Sequence, residues 1–83
     1  MTVTVRYFAS IREAIGTGQE TVDTSAATLG ALRDELIARG GAHASSLARG
    51  RAVRMALNQA LCDEAAALAD GAEVAFFPPV TGG

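Results

Sequence analysis

The residues best suited to chemistry stand at the end of the sequence, where Pro78, Pro79, Val80 and Thr81 precede Gly82-Gly83. The two prolines fix φ and favour an extended, unpaired backbone, and residues 78–83 can span roughly 20 Å. The two glycines have no Cβ and can pass through a constriction that excludes side chains. The terminal carboxylate is ionised at neutral pH because its pKa lies near ~3.5. We therefore expect a flexible tail that carries the carboxyl group of Gly83 into the active site of another protein.

The side chains elsewhere in the sequence form no catalytic constellation. Cys62 is the single cysteine, and we interpret it as a structural strand residue in a reducing compartment. His43 is the single histidine and supplies too few ligands for a metal site. Asp63 and Glu64 are adjacent, which favours solvated turn residues over an acid/base pair. The sequence thus predicts no metal, no bound cofactor and no chemistry by this chain on its own.

The composition restricts the class of protein further. All seven basic residues are arginine, which excludes a P-loop and a Schiff-base lysine and leaves the amino terminus as the one amine that could accept a conjugate. Hydrophobic residues make up 49% and charged residues 19%, as expected for one globular domain without a membrane span. The net charge of −2 and the scattered arginines predict neither nucleic-acid nor membrane binding. The opening residues lack a signal peptide, so we expect a cytoplasmic protein.

Period-two alternation and capping signals predict the elements that position the tail. The stretch 42–50 is ambiguous and could hold a helical turn followed by a loop. Ser10 and Glu13 suggest a capping box for a short helix, and Glu35 and Arg39 suggest an i,i+4 pair on a longer one. The predicted strands are 2–8, 19–24, 52–57, 60–63 and 73–77, and the predicted helices are 10–15 and a longer one from the N-cap Thr28 to about Arg39.

The order of these elements predicts an α+β fold. The longer helix has one apolar stripe and must cover one face of a mixed sheet, since most of the strands also have one apolar face. This is the β-grasp, or ubiquitin-like, arrangement, in which the first and last strands lie side by side and parallel. We therefore expect a β-grasp domain at 1–77 and an extended tail at 78–83.

The alternation also places aromatic side chains on the face of the sheet that points away from the helix. If Phe76 faces the helix, then Phe77 points away from it, and Phe8 shares the outward face of Thr2, Thr4 and Arg6. Exposed aromatic residues close together suggest a partner surface. Because this surface lies where the tail begins, a partner that binds it is well placed to receive Gly83.

Several motifs carry a family resemblance along nearly the whole sequence. The ending FFPPVTGG after Asp70-Gly71, the opening Val5-Arg6-Tyr7-Phe8-Ala9, and the Asn58-Gln59 turn resemble the small, sulfur-carrier subunit of molybdopterin synthase, a ubiquitin-like sulfur carrier. The tail motif is the specific part of this resemblance. The other motifs are typical of ubiquitin-like sulfur carriers in general.

The resemblance implies a cycle of loading and unloading at Gly83. A ubiquitin-activating-type adenylyltransferase would use ATP to make an acyl adenylate there, and sulfur relayed by a sulfurtransferase would displace AMP to leave a thiocarboxylate. The tail would then enter the large synthase subunit, in a heterotetramer with two carriers, and give its sulfur to cyclic pyranopterin monophosphate. The resemblance also implies that Phe8, Leu61 and Phe77 form the contact surface for both partners, with residues 78–82 as the inserted tail.

Three other functions fit the same residues. A ubiquitin-like protein modifier begins with the same adenylation and ends on a lysine of a target protein. A sulfur carrier for thiazole or cysteine synthesis shares the thiocarboxylate. A β-grasp binding module without chemistry predicts that deletion of Gly82-Gly83 has no effect.

Overall fold

A five-stranded mixed sheet forms the frame of the protein, in a computed structural model that describes residues 1–79. The strand order is β2-β1-β5-β3-β4; β1 and β5 are parallel, and the other pairs are antiparallel. The elements in chain order are β1 (Thr2–Tyr7), α1 (Ala9–Ile15), β2 (Gln19–Asp23), α2 (Leu29–Ala38), α3 (Gly41–Leu47), β3 (Arg54–Leu57), β4 (Ala60–Cys62) and β5 (Glu73–Phe77). This is the predicted β-grasp fold, including the central parallel pair.

The core lies between one face of the sheet and the three helices. Alternate residues of β1 and β5 point inward, as the period of two predicts. α2 contributes one stripe at helical spacing, and α1 and α3 each add apolar side chains. The largest side chains that are almost completely buried are Tyr7, Phe76, Leu29, Leu32, Leu36, Leu47, Val3, Val5 and Val74.

The start of α1 differs from the prediction. The predicted capping box of Ser10 and Glu13 is wrong, because the helix begins at Ala9 and Phe8 is its N-cap, without a side-chain cap. Phe8 donates its N–H to Phe76 O (3.2 Å) and accepts from Ile11 N (3.1 Å), so the helix starts where the chain leaves the sheet. Gly16 ends it in the left-handed conformation (φ 91°), as predicted.

The second and third helices fill the centre of the chain. Thr28 is the N-cap of α2, and its side chain accepts from Ala31 N, as predicted. The ambiguous stretch 42–50 is mostly helical, because α3 covers Gly41–Leu47. Arg33, which the sequence did not single out, is buried and donates from Nε to Leu47 O (2.7 Å) and from Nη2 to Ala48 O (3.1 Å). It satisfies carbonyls at the C-terminus of α3 and so joins the two helices.

Tertiary contacts replace the predicted pair of Glu35 and Arg39 on α2. Glu35 accepts from the hydroxyl of Thr24, and Arg39 donates to Glu20 of β2 (2.6 Å). The i,i+4 prediction is therefore wrong, because such a pair contributes only a few tenths of a kcal/mol and both side chains find partners across the fold.

Glu20 is the centre of a polar cluster that links β1, β2, α2 and α3. Its carboxylate accepts from Tyr7 Oη (2.7 Å) and Arg39 Nη1 (2.6 Å), and it lies 2.9 Å from His43 Nε2. The ring of His43 also meets the Tyr7 ring edge-on at 5.9 Å. Burial acts to raise the pKa of Glu20, but the hydrogen bonds from Arg39, His43 and Tyr7 outweigh it and lower the pKa to about 2.

We expect this cluster to make stability depend on acidity. The pKa of Glu20 falls from 4.5 to about 2 on folding, so its contribution to stability is present above pH 4.5 and is lost as the pH falls towards 2. Thermal unfolding of the wild type and of Glu20→Gln should therefore differ most at neutral pH and converge in acid. The control is Glu13→Gln, at an exposed position of α1. A difference between wild type and Glu20→Gln that does not change with pH would contradict this prediction.

The segment from residue 63 to residue 70 packs tightly against the start of α2. Leu29 N donates to Ala66 O, and Gly30 N donates to Glu64 O, both at 2.9 Å. A Cβ built on Gly30 would lie 2.9 Å from the Cβ of Glu64, so only glycine fits here. Glu64 lies in a turn, as predicted, but it is half-buried and accepts from Arg49, which corrects its interpretation as a solvated residue. Asp63 does lie in a turn, where it accepts from Ala65 N.

Candidate functional site

The sheet face opposite the helices carries a row of four residues that crosses the strands. The strand registers place Arg6 of β1 beside Ala75 of β5, Ala75 beside Ala56 of β3, and Ala56 beside Leu61 of β4. The two alanines form a low floor between longer side chains. Leu61 is 68% exposed, and so exposed a leucine suggests a surface that binds another protein. We call this face, with Phe8 and Phe77, the outer face.

Phe8 and Phe77 lie together at one end of the outer face. They line one groove, although Phe8 belongs to the turn into α1 and not to the predicted strand 2–8. Phe8 is 39% exposed and Phe77 is half-buried, whereas the adjacent Phe76 is fully buried in the core. The six residues that line this groove are Arg6, Phe8, Gln59, Glu73, Ala75 and Phe77.

The left-handed hairpin turn between β3 and β4 brings Gln59 to the groove. Asn58 and Gln59 both have positive φ (50° and 70°), as a tight two-residue hairpin requires. Asn58 is held by hydrogen bonds with Glu73, through its own N–H and its side-chain oxygen. The turn predicted at Asn58-Gln59 therefore also forms one edge of the groove.

The chain leaves the sheet directly beside this groove. β5 ends at Phe77, and Pro78 and Pro79 are both half-buried. Pro78 lines a small cleft with Ile11 and Ala14 of α1 and with Val53. The first tail residue is therefore in contact with the domain. The other predicted tail residues, Val80, Thr81, Gly82 and Gly83, lie outside the described residues.

Arg6 gives the groove a cationic side. Its guanidinium lies 5.3 Å from the centre of the Phe8 ring, within the range of a cation–π contact. Nη1 lies 3.7 Å from a carboxylate oxygen of Glu73, an ion pair at the long end of the range. Alternation placed Arg6 on this face, but the sequence did not mark it or Glu73 as groove residues because the strand register was not known.

The remaining candidate side chains are not brought together. Cys62 is half-buried against the core, and burial, with a further effect from Asp63, raises the pKa of its thiol. A raised pKa favours the thiol over the nucleophilic thiolate. Within residues 1–79 no cluster of three or more histidine, cysteine, aspartate or glutamate residues could hold a metal ion. In the same part of the chain, each helix is too short or too polar to cross a bilayer.

Comparison with known proteins places this geometry in a family. The ThiS family model matches residues 5–83. The molybdopterin synthase sulfur carrier subunit of Escherichia coli (strain K12) is 42% identical over 81 residues, which cover 98% of this chain and 99% of that protein. The protein of the same name from Haemophilus influenzae is 40% identical and covers 95% of this chain and 96% of its own length.

Two solved structures have the same fold and moderate sequence identity. The crystal structure of SAMP1 from Haloferax volcanii has a TM-score of 0.80 and 28% identity, with both chains covered completely. A chain of the complex of subunits 1 and 2 of the molybdopterin-converting factor from Helicobacter pylori has a TM-score of 0.71 and 30% identity, again over the full length of both chains. The chain belongs to the ThiS family of ubiquitin-like proteins, together with the sulfur-carrier subunits of molybdopterin synthase.

Proposed function

We propose that this chain is the sulfur carrier of a molybdopterin synthase and bears the sulfur on the carboxyl group of Gly83. The observation that carries the proposal is the position of the outer-face groove, which lies beside the point where the tail leaves β5. The two relatives named as sulfur carrier subunits align with nearly the whole chain. The family match extends through Gly83.

The first step in this proposal is activation of the Gly83 carboxylate by a partner. A carboxylate resists substitution because its oxygen is a poor leaving group. A ubiquitin-activating-type adenylyltransferase attaches AMP from ATP to a carboxylate oxygen and releases pyrophosphate. The persulfide sulfur of a sulfurtransferase then attacks the acyl carbon and displaces AMP, and a free thiol reduces the resulting acyl disulfide to leave a thiocarboxylate. ATP is bound by the enzyme, and this chain is its substrate.

The second step is delivery of sulfur to the large synthase subunit. The groove at Phe8 and Phe77 binds that subunit and holds the tail in its active site. There the thiocarboxylate sulfur forms a bond to cyclic pyranopterin monophosphate, and one water molecule then hydrolyses the acyl–sulfur bond, which leaves the sulfur on the pterin and returns the chain to a carboxylate. The enclosing partner keeps bulk water from the reactive acyl group until the sulfur has been transferred, and the absence of a side chain at Gly82 and Gly83 permits a narrow channel. The Helicobacter pylori complex of subunits 1 and 2 supports a large-subunit partner.

Mass spectrometry of the intact chain tests this proposal. The protein should be incubated with the adenylyltransferase, a sulfurtransferase, cysteine and ATP. The expected result is a mass gain equal to the exchange of one oxygen for sulfur, located at Gly83, and its loss after addition of the large subunit and the pterin precursor. A chain that stays at its original mass in a system that loads a known carrier would contradict the proposal.

Phe77 allows partner binding to be separated from folding. We expect Phe77→Ala to weaken binding to the large subunit by about 30-fold or more, because a half-exposed aromatic anchor at an interface is lost. The melting temperature should fall only slightly, since Phe77 lies outside the core cluster. Affinity and thermal unfolding are measured on the same samples. A large fall in melting temperature with unchanged affinity would contradict the assignment.

A role as a protein modifier is the second candidate function. The likeness to a small archaeal modifier protein favours it. Activation of Gly83 is the same in both functions, but a modifier ends in an amide bond to a lysine of another protein. The products distinguish them, since a modifier gives adducts of higher mass with cellular proteins and a carrier gives the thiocarboxylate alone.

A further inference from the structure

The outer face contains a polar atom that the domain leaves unsatisfied. The Nε of Arg6 is buried and has no hydrogen-bond partner among the described residues. Within residues 1–79, its guanidinium is held by the Phe8 ring and by the long ion pair with Glu73. Buried polar groups normally have hydrogen-bond partners, so an orphan N–H in a groove requires an explanation.

In the free domain, the side chain of Arg6 covers part of the groove. The side chain of Arg6 is 41% exposed, and its stem lies along the groove next to Phe8 and Ala75. A long charged side chain can shield apolar surface in this way while its outer nitrogens, unlike the buried Nε, stay in water. A partner that covers the groove removes this water, and Glu73 at 3.7 Å is too far away for a hydrogen bond to replace it.

The charges around Phe77 also indicate that a partner must supply negative charge. Arg54 lies directly opposite Phe77 in the sheet register and is exposed. Arg6 and Arg54 therefore outnumber Glu73 among the charged residues that line the groove or lie opposite Phe77, although the whole chain has a net charge of −2. A neutral or basic partner surface would leave an arginine buried without a counter-charge, which strongly disfavours binding.

We propose that the large-subunit surface that covers this groove presents a carboxylate, which takes Arg6 from Phe8 and Glu73 into a two-point ion pair. The inference rests on the proposed function and adds the chemistry of the partner surface to it. Arginine suits this task because its planar fork binds both oxygens of a carboxylate. On docking, the Arg6 side chain uncovers Phe8, so the same movement satisfies the charge and exposes the apolar anchor.

Variants of Arg6, assayed with the purified large subunit, test this inference. Arg6→Met keeps an apolar stem and loses the charge, and it should bind about tenfold more weakly or worse. Arg6→Glu should bind about 100-fold more weakly. Raising the NaCl concentration from about 0.05 M to about 0.5 M should weaken binding of the wild type. The same change should weaken binding of Arg6→Met much less. The control is the double variant Ala38→Glu/Ser45→Glu, which changes the net charge by the same amount as Arg6→Glu but at exposed helix positions. It should bind like the wild type.

A charge-reversal scan then identifies the partner group. Exposed acidic residues of the large subunit are changed to arginine one at a time, and one of them should restore binding of Arg6→Glu. Equal or tighter binding by Arg6→Met, or the absence of any rescuing position, would overturn the inference and leave the proposed function intact. No binding of the wild type to the large subunit would overturn both. Thermal unfolding of each variant excludes loss of the fold as the cause.

Discussion

Gly83→Ala is expected to reduce sulfur transfer by more than ~100-fold while the domain unfolds at the wild-type temperature. In the proposed function the reacting carbon is the carboxyl carbon of this residue, so a methyl group at Gly83 would lie next to the reaction centre in both partner sites. Displacement of a reacting group by about 1 Å can cost this much in rate. One glycine added after Gly83 should have the same effect, because the activated carboxyl group is then misplaced by one residue.

The measurement is molybdopterin formation in a reconstituted system, together with the mass of the chain after loading. Thr81→Ser is the control, because it changes the tail without altering its tip. Normal product from Gly83→Ala would contradict the central role of the terminal carboxyl group. Deletion of Gly82-Gly83 separates the carrier from a plain binding module, since the module predicts no effect on function.

Phe76→Ala is expected to lower the free energy of unfolding by about 3–5 kcal/mol, the usual cost of removing a large aromatic side chain from a core. Phe76 is fully buried and its ring stacks on Tyr7 at 6.3 Å. It also lies on β5, which pairs with both β1 and β3, so the cavity opens at the centre of the sheet.

Phe77 provides the matched control, because the same substitution one residue further along the strand falls on the other face. Urea unfolding of Phe76→Ala and Phe77→Ala should show a large loss for the first and less than about 1 kcal/mol for the second. Phe76→Leu should give an intermediate loss, because it keeps part of the buried volume. Similar losses for both alanine variants would contradict the assignment of faces.

The sequence predicted the strands and helix ends where the signals are local. β5 has the predicted bounds, and Thr28, Gly16 and the Asp70-Gly71 turn act as local chemistry requires. Local signals failed where a distant residue decides the outcome. Arg39 pairs with Glu20 instead of Glu35. β1 ends before Phe8 for a local reason, because Phe8 O accepts from Ile11 N and Arg12 N at the start of α1.

The path of residues 63–70 could not be predicted either. This stretch has little periodicity, and its position depends on Gly30, where the absence of a Cβ allows the two backbones to approach. A glycine inside a helix pattern suggests close packing in general but does not name the partner segment.

The candidate site was predicted in part. Alternation placed Phe8 and Phe77 on the face away from the helices, and the structure brings them into one groove. Leu61 entered through the family resemblance alone, because a three-residue edge strand has too little pattern to show which side is exposed. The role of Arg6 depends on strand register, which only the folded sheet supplies. The expected contacts of residues 80–83 stay predictions.

The central position of β5 has a consequence for biosynthesis. The outer face takes Phe8 from the first half of the chain and Leu61 from the second, and β5 joins the two halves by pairing with β1 and β3. In an incomplete chain on the ribosome that still lacks β5, nothing joins the β1–β2 pair to the β3–β4 pair, so the outer face is not assembled. Pairing between strands so distant in sequence also forms late and slowly compared with local contacts. Partner enzymes that recognise this surface would therefore select finished molecules over nascent or misfolded ones.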